Sequence, residues 1–186
     1  LKVVETDRLI LRRMSLDDAG FILGLLNDPS FLRYIGDKGV RTLEDARKYI
    51  LTGPVASYER HGFGLYLTTR KEDGASIGIC GLLKRDTLPD VDVGFAFLPE
   101  YCSMGYGFES ASAVMAHGRR VLGLQRIVAV TSPGNLASMR LLEKLGMRFE
   151  GMVRLAEGGP ELKLFSSDAG AASRGSSGAV ATSAPS

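Results

Sequence analysis

The stretch from Val91 to Leu122 constrains this chain more than any other, because its apolar pattern changes period in the middle. Val91, Val93, Phe95 and Phe97 alternate with Asp92, Gly94 and Ala96, the two-residue period of a strand with one apolar face. Phe108, Ala111, Met115, Gly118 and Leu122 then recur at helical spacing and lay one stripe along about four turns. Between the two patterns lies Leu98 to Glu109, with Gly105 and Gly107 where the strand must become the helix. Lacking a Cβ, such a backbone can approach an anion closely and aim its amides at it from the positive end of the helix. That is a phosphate cradle in outline, although a Gly-x-Gly before a helix serves equally as a tight connection. The Lys and Ser/Thr of a nucleoside triphosphate loop are missing, and Ser110 stands where a dinucleotide fingerprint would place its third glycine.

A second helix start lies at Asn135, which can cap the run Leu136, Met139, Leu142 and Leu145, with Ser138 near the same face one turn later and Gly146 placed to end the helix. Further elements read as a strand at Leu9 to Leu11, a helix from about Leu16 to Leu26 after Ser15, and a helix after Thr42 that runs through Ala46 and Ile50 towards Tyr58. Strands follow at Phe63 to Thr69, Ile77 to Leu83, Ile127 to Thr131, Met147 to Glu150 and Leu162 to Phe165. This order predicts a mixed α/β domain over residues 1–166, with helices covering both faces of one sheet. Residues 167–186 are dominated by Ser, Ala and Gly, a low-complexity composition expected to stay disordered.

The net charge of +2 is spread along 186 residues with no long basic block, which argues against nucleic acid as a ligand. No apolar stretch reaches the roughly 20 residues of a membrane span, and Leu1 to Asp7 has no signal-peptide character. A cytoplasmic location is therefore expected. Cys80 and Cys102 lack the spacing of a zinc site or a disulfide framework, so no metal is implied.

Together the two glycine and asparagine segments resemble the GNAT acyltransferases, and among them the ribosomal-protein N-terminal acetyltransferases. The likeness runs from Glu5, Thr6, Asp7, Arg8, Leu9, Leu11 and Arg12 to about Phe165. The family's Gln/Arg-x-x-Gly-x-Gly/Ala loop matches at Gly105 and Gly107, with Cys102 in place of Gln or Arg. Its Asn-x-x-Ser helix, ending in Leu-Gly-aromatic, matches with Met147 in place of the aromatic residue. The resemblance implies a mostly antiparallel central sheet whose splayed middle strands admit acyl-CoA, and a reaction in which a primary amine attacks the thioester of acetyl-CoA directly. It implies that Cys102, Ser103, Met104, Gly105, Tyr106 and Gly107 hold the pyrophosphate, that Phe97 and Leu98 pair with the pantetheine arm, and that Asn135 and Ser138 complete the donor site.

Many members place a proton-donating Tyr seven residues after the Asn, where this chain has Leu142. Ser138 is accordingly assigned to hydrogen-bond the sulfur. Asp92, on the other face of the strand from the phenylalanines, is assigned as the base, with Glu100 and Glu109 as alternatives. The acceptor is expected to be a protein N-terminus or a small-molecule amine, bound by residues 28–41 and 151–159, and a homodimer through the last strands fits the family. The competing reading is an acyl-CoA sensor with the cradle but weak turnover.

Overall fold

Eight strands form a single sheet in the computed structural model, which describes residues 1–168. The tail expected at 167–186 lies outside the described residues, except that Ser167 and Asp168 continue the last strand. The strands are β1 (Lys2–Glu5), β2 (Leu9–Arg12), β3 (Leu65–Arg70), β4 (Ser76–Leu83), β5 (Asp92–Phe97), β6 (Arg126–Thr131), β7 (Arg148–Val153) and β8 (Leu162–Asp168), in the order β1-β2-β3-β4-β5-β6-β8-β7. Every neighbouring pair is antiparallel except β5 with β6, which run parallel. The expected mixed, mostly antiparallel sheet is what forms.

Helices follow their capping chemistry. After one tight turn at Leu16–Asp18, α1 runs Ala19–Leu26, and the Asp18 carboxylate accepts the Ser15 amide at 2.9 Å. α2 (Pro29–Tyr34) begins at Asn27, Asp28 and Pro29, residues whose types also signal the end of a helix. Pro29 is its first residue, where a missing N–H costs nothing, and Asp28 accepts the Ser30 amide at 3.0 Å. α3 (Leu43–Ile50) opens on reciprocal bonds between Thr42 and Asp45, both 3.1 Å. It continues through a widened turn at Leu51–Val55, which accommodates Pro54, into α4 (Ala56–His61), so the helical run outlasts the expected end at Tyr58. α5 (Tyr106–Arg120) and α6 (Leu136–Lys144) lie as predicted.

Two apolar clusters flank the sheet. One joins Val91, Val93, Met115, Ile127 and Leu142 on the α5 side, and the other joins Ile22, Leu25, Ile50, Leu67 and Ile79 under α1 and α3. The alternation along β5 divides accordingly: Phe95 and Phe97 pack towards α5, whereas Ala96 and Leu98 pack towards α1 and α3.

The contact between β5 and β6 is what shapes the site. These strands share one register pair, Asp92 with Val128, supported by the Val128 amide on the Val91 carbonyl at 3.0 Å. Beyond it, among the described residues, the two strands share no further register pair towards Phe97 and Thr131. The sheet therefore opens as a V whose closed end is Asp92.

Candidate active site

At the open end of the V, β5 passes through a tight turn, Pro99–Tyr101, into the glycine loop. Ser103 and Gly105 take left-handed backbone conformations, φ +63° and +83°, and Gly105 caps α5. Among the described residues, the amides of Ser103, Met104, Gly105, Tyr106, Gly107 and Phe108 have no acceptor; Glu109 is the first to find one, the Gly105 carbonyl at 3.0 Å. Six consecutive free N–H groups at the positive end of a 15-residue helix form a site for an anion with several oxygens.

The loop is held from outside by residues far away in sequence. Glu109 accepts from Thr6 Oγ1 at 2.7 Å, the Arg8 amide at 2.9 Å and Arg8 Nε at 2.7 Å. Arg8 Nη1 donates to the Met104 carbonyl at 3.0 Å, and its guanidinium lies 4.4 Å from the centre of the Tyr106 ring. Burial works to raise the Glu109 pKa, but the bonds from Thr6 and Arg8 outweigh it and hold the carboxyl below its ordinary value. An ionised, fully engaged carboxylate is a brace, not a base, which removes Glu109 from the alternatives for proton removal.

Phe97, Gly107 and α6 meet beside this loop. A Cβ built on Gly107 would lie 3.1 Å from Leu141 Cδ2 and 3.8 Å from Phe97 Cε2, so glycine is what lets helix, strand tip and α6 converge. Asn135 Oδ1 accepts the Ser138 amide at 3.2 Å, as a cap should. The Ser138 side chain is half-buried and, among the described residues, its hydroxyl has no protein partner. Leu142, where a donor Tyr is common, is a core residue. The Cys102 sulfur lies 3.6 Å from the Leu98 carbonyl and 3.9 Å from that of Phe97. Burial and then the charges of Asp28 and Glu100 push its thiol pKa up, the reverse of what a nucleophile needs. The residues thus fit acyl-CoA: free amides for the pyrophosphate, and an unpaired β5 edge for the extended amide arm.

Asp92 stands at the other end of the strand. It is 1% exposed, and its Oδ1 accepts from Arg85 Nε at 3.1 Å. Burial raises its pKa, and Arg85 offsets only part of that rise, so the carboxyl sits above its ordinary value. Its partner Arg85 has no motif to mark it in the sequence. His61 stacks on Phe63 with centroids 5.5 Å apart, and His117 lies along α5, its pKa lowered by burial and by Arg120. Neither histidine joins the loop or the V.

Residues 8–148 match the family model described as an acetyltransferase (GNAT) domain. An uncharacterized N-acetyltransferase of Bacillus subtilis (strain 168), YoaA, is 34% identical over 82% of this chain and 86% of its own length. Among solved structures, the ribosomal-protein-S5-alanine acetyltransferase of Vibrio fischeri superposes with a TM-score of 0.73 at 19% identity, covering 90% of this chain and 96% of that one. The ribosomal L7/L12 alpha-N-protein acetyltransferase RimL, solved in complex with coenzyme A, gives 0.75 at 17% identity, covering 88% and 95%. At those identities the likeness is one of fold.

Proposed function

This chain belongs to the GNAT acetyltransferase family, and we propose that it is a cytoplasmic N-acetyltransferase that moves an acetyl group from acetyl-CoA to a primary amine of a protein N-terminus or small molecule. The observation that carries the reading is the run of six unpartnered amides from Ser103 to Phe108 at the open end of the β5/β6 V. Acetyl-CoA supplies the activated thioester carbonyl. The amides of Ser103 to Gly107, with Cys102 at the lip, hold the pyrophosphate, and the β5 edge up to Phe97 and Leu98 receives the amide arm. Asn135 fixes the first turn of α6 and so aims the Ser138 hydroxyl, which donates to the sulfur and orients it. Asp92 accepts the proton lost by the amine through a water, a role that its raised pKa suits. Orientation of two reactants within one cleft supplies much of the rate.

Two unpaired thiols, Cys80 buried and Cys102 exposed, agree with a reducing compartment, and among the described residues no helix is long and apolar enough to cross a membrane. We further propose a homodimer through β7, an edge strand that exposes Phe149 and Met152. The test is calorimetric titration with acetyl-CoA followed by thiol release against a panel of amines. Binding with amine-dependent release supports the enzyme; binding without release supports a sensor; no binding rejects the reading.

A further inference from the structure

Gly94 is a glycine that β5 does not need for its own backbone. A glycine inside a strand is unfavourable, and it is kept where a left-handed conformation, tight packing or the near approach of another group requires it. The first reason is absent, since Gly94 does not take a positive φ. The second holds elsewhere in this sheet: a Cβ on Gly78 would run into the Ala96 carbonyl, and one on Gly81 into that of Gly64. At Gly94 a Cβ would meet no such backbone. Apart from the residues next to it in the chain, its only neighbours within 4 Å among the described residues would be Leu83 Cδ1 at 3.3 Å and Leu65 Cδ2 at 3.6 Å, both ends of flexible side chains. β6 contributes none, so the space above Gly94 is walled on the β3 and β4 side and open towards the cleft. Gly94 is accordingly only half-buried in the fifth of eight strands.

Asp92 stands on the same face, because side chains two residues apart on a strand project to one side of it, roughly 6.5–7 Å from each other. Its Oδ1 accepts from Arg85 Nε at 3.1 Å, whereas among the described residues no other residue donates to Oδ2. The fully buried side-chain atoms without a partner are Thr68 Oγ1 and Arg119 Nε, and Asp92 Oδ2 is not one of them. This free oxygen therefore touches accessible space, although the residue is only 1% exposed. A contact that small admits a water but leaves no room for an amine carrying a carbon chain. Gly94 is the next residue on this face, on the side where β5 and β6 share no further register pair. One water, with hydrogen bonds of about 2.8 Å on each side, extends the reach of Oδ2 by roughly 5.5 Å along that face.

We propose that Gly94 is a positioning residue: its missing side chain keeps the place of the water that carries the acceptor's proton to Asp92. As the amine nitrogen bonds to the thioester carbonyl carbon it becomes positively charged. It gives one proton to this water, which passes one of its own to Asp92 Oδ2. The C–S bond then breaks, CoA leaves as its thiolate, and Asp92 returns the proton to solvent. This inference rests on the acetyltransferase reading and deepens it.

The test is Gly94→Ala, whose methyl group takes that space. Thiol release from acetyl-CoA is followed with an alanine tripeptide, putrescine and glutamate for the native chain, Gly94→Ala, Asp92→Asn and the double variant, beside acetyl-CoA titrations and thermal melts of each. Gly94→Ala is expected to bind acetyl-CoA with native affinity and to melt no earlier than the native chain, because only leucine methyls must shift. Its kcat should fall at least about tenfold with the KM for the amine unchanged, the pattern of an interaction made only in the transition state. The double variant should be no slower than Asp92→Asn alone, since both changes cut one path. A native kcat in Gly94→Ala or in Asp92→Asn, or losses that add in full, overturns the inference. So does a raised KM at unchanged kcat, which gives the space to the amine itself, and so does an earlier melt or weaker acetyl-CoA binding, which makes packing the reason for the glycine. Each of these leaves the enzyme reading intact, because the native chain turns over. Acetyl-CoA binding with no release from the native chain rejects relay and turnover together, and failure to bind acetyl-CoA rejects the reading beneath them.

Discussion

Replacing Gly105 by alanine tests the cradle where its geometry is most demanding. At φ +83° an L-residue with a Cβ is strained by about 1–2 kcal/mol, and the new Cβ would lie 3.2 Å from Arg8 Nη2. That guanidinium yields poorly, because the Met104 carbonyl and Glu109 hold it. The chain can keep the strain, and lose about 1–2 kcal/mol of stability, or relax the loop and swing the amides of Gly105 and Tyr106 away. Losing one charge-assisted bond to a phosphate costs about 1.5–3 kcal/mol, roughly a ten- to hundredfold rise in the Kd for acetyl-CoA. Gly107→Ala is the comparison: its backbone is helical, and its Cβ meets the flexible end of Leu141 at 3.1 Å and Phe97 at an ordinary contact distance of 3.8 Å, so its effect on Kd should be several times smaller. Calorimetry with acetyl-CoA, beside thermal melts of both variants, reads the two quantities separately. A Gly105→Ala protein that melts like the native chain, its strain relieved by a relaxed loop, yet binds acetyl-CoA with native affinity would refute the claim that these amides hold the pyrophosphate.

Three further outcomes can be checked. Asp92→Asn should lower kcat by about a hundredfold and abolish the acid limb of the pH-rate profile, a limb displaced upward because burial raises the carboxyl pKa. A raised folded pKa stabilises the protein most below the unfolded value and less as pH rises through the folded one, so this variant should melt no earlier than the native chain at pH 7. Ser138→Ala should reduce kcat about tenfold, with the Kd for acetyl-CoA unchanged, because its cap bond uses the backbone amide and not the hydroxyl. Asp18, held by Arg12 at 2.8 and 2.9 Å and by the Ser15 amide, has a lowered pKa despite burial; its stabilisation is present above the unfolded value of 3.8 and lost as pH falls through the folded one. Asp18→Asn should therefore cost about 2 kcal/mol in urea melts at pH 7 and nothing at pH 2.

The elements that carry strong period were legible: β5 and α5 because their apolar stripes are long and a glycine pair divides them, α6 because Asn135 and Gly146 bracket it. β1 was missed because Val3 and Val4 are too few to show alternation, and α2 because Asn27, Asp28 and Pro29 carry the chemistry of a stop and a start at once. The cradle glycines were visible, but the brace that fixes them was not. Thr6 and Arg8 reach Glu109 across about a hundred residues, and no local rule connects an acid in the first turn of a helix to an arginine before a strand. Arg85 escaped for a related reason: next to Lys84 it reads as a solvated pair at a turn, and only the fold places it against a buried carboxylate.

The single parallel pair explains why the two halves of the proposed chemistry lie at opposite ends. Because β5 and β6 run the same way with α5 as the crossover between them, both strands finish at one end of the sheet, and the helices that follow, α5 and α6, both begin there. The amide cradle must then form at that end, and it is built from backbone dipoles that no side-chain substitution can reverse in sign. The opposite end begins β5 and β6 and finishes β4, and there the side chains of Arg85 and Asp92 meet. The proposed donor site is in consequence fixed by topology, whereas the proposed base depends on a few replaceable side chains. Asp92→Asn should therefore lower turnover while acetyl-CoA binding stays as it was.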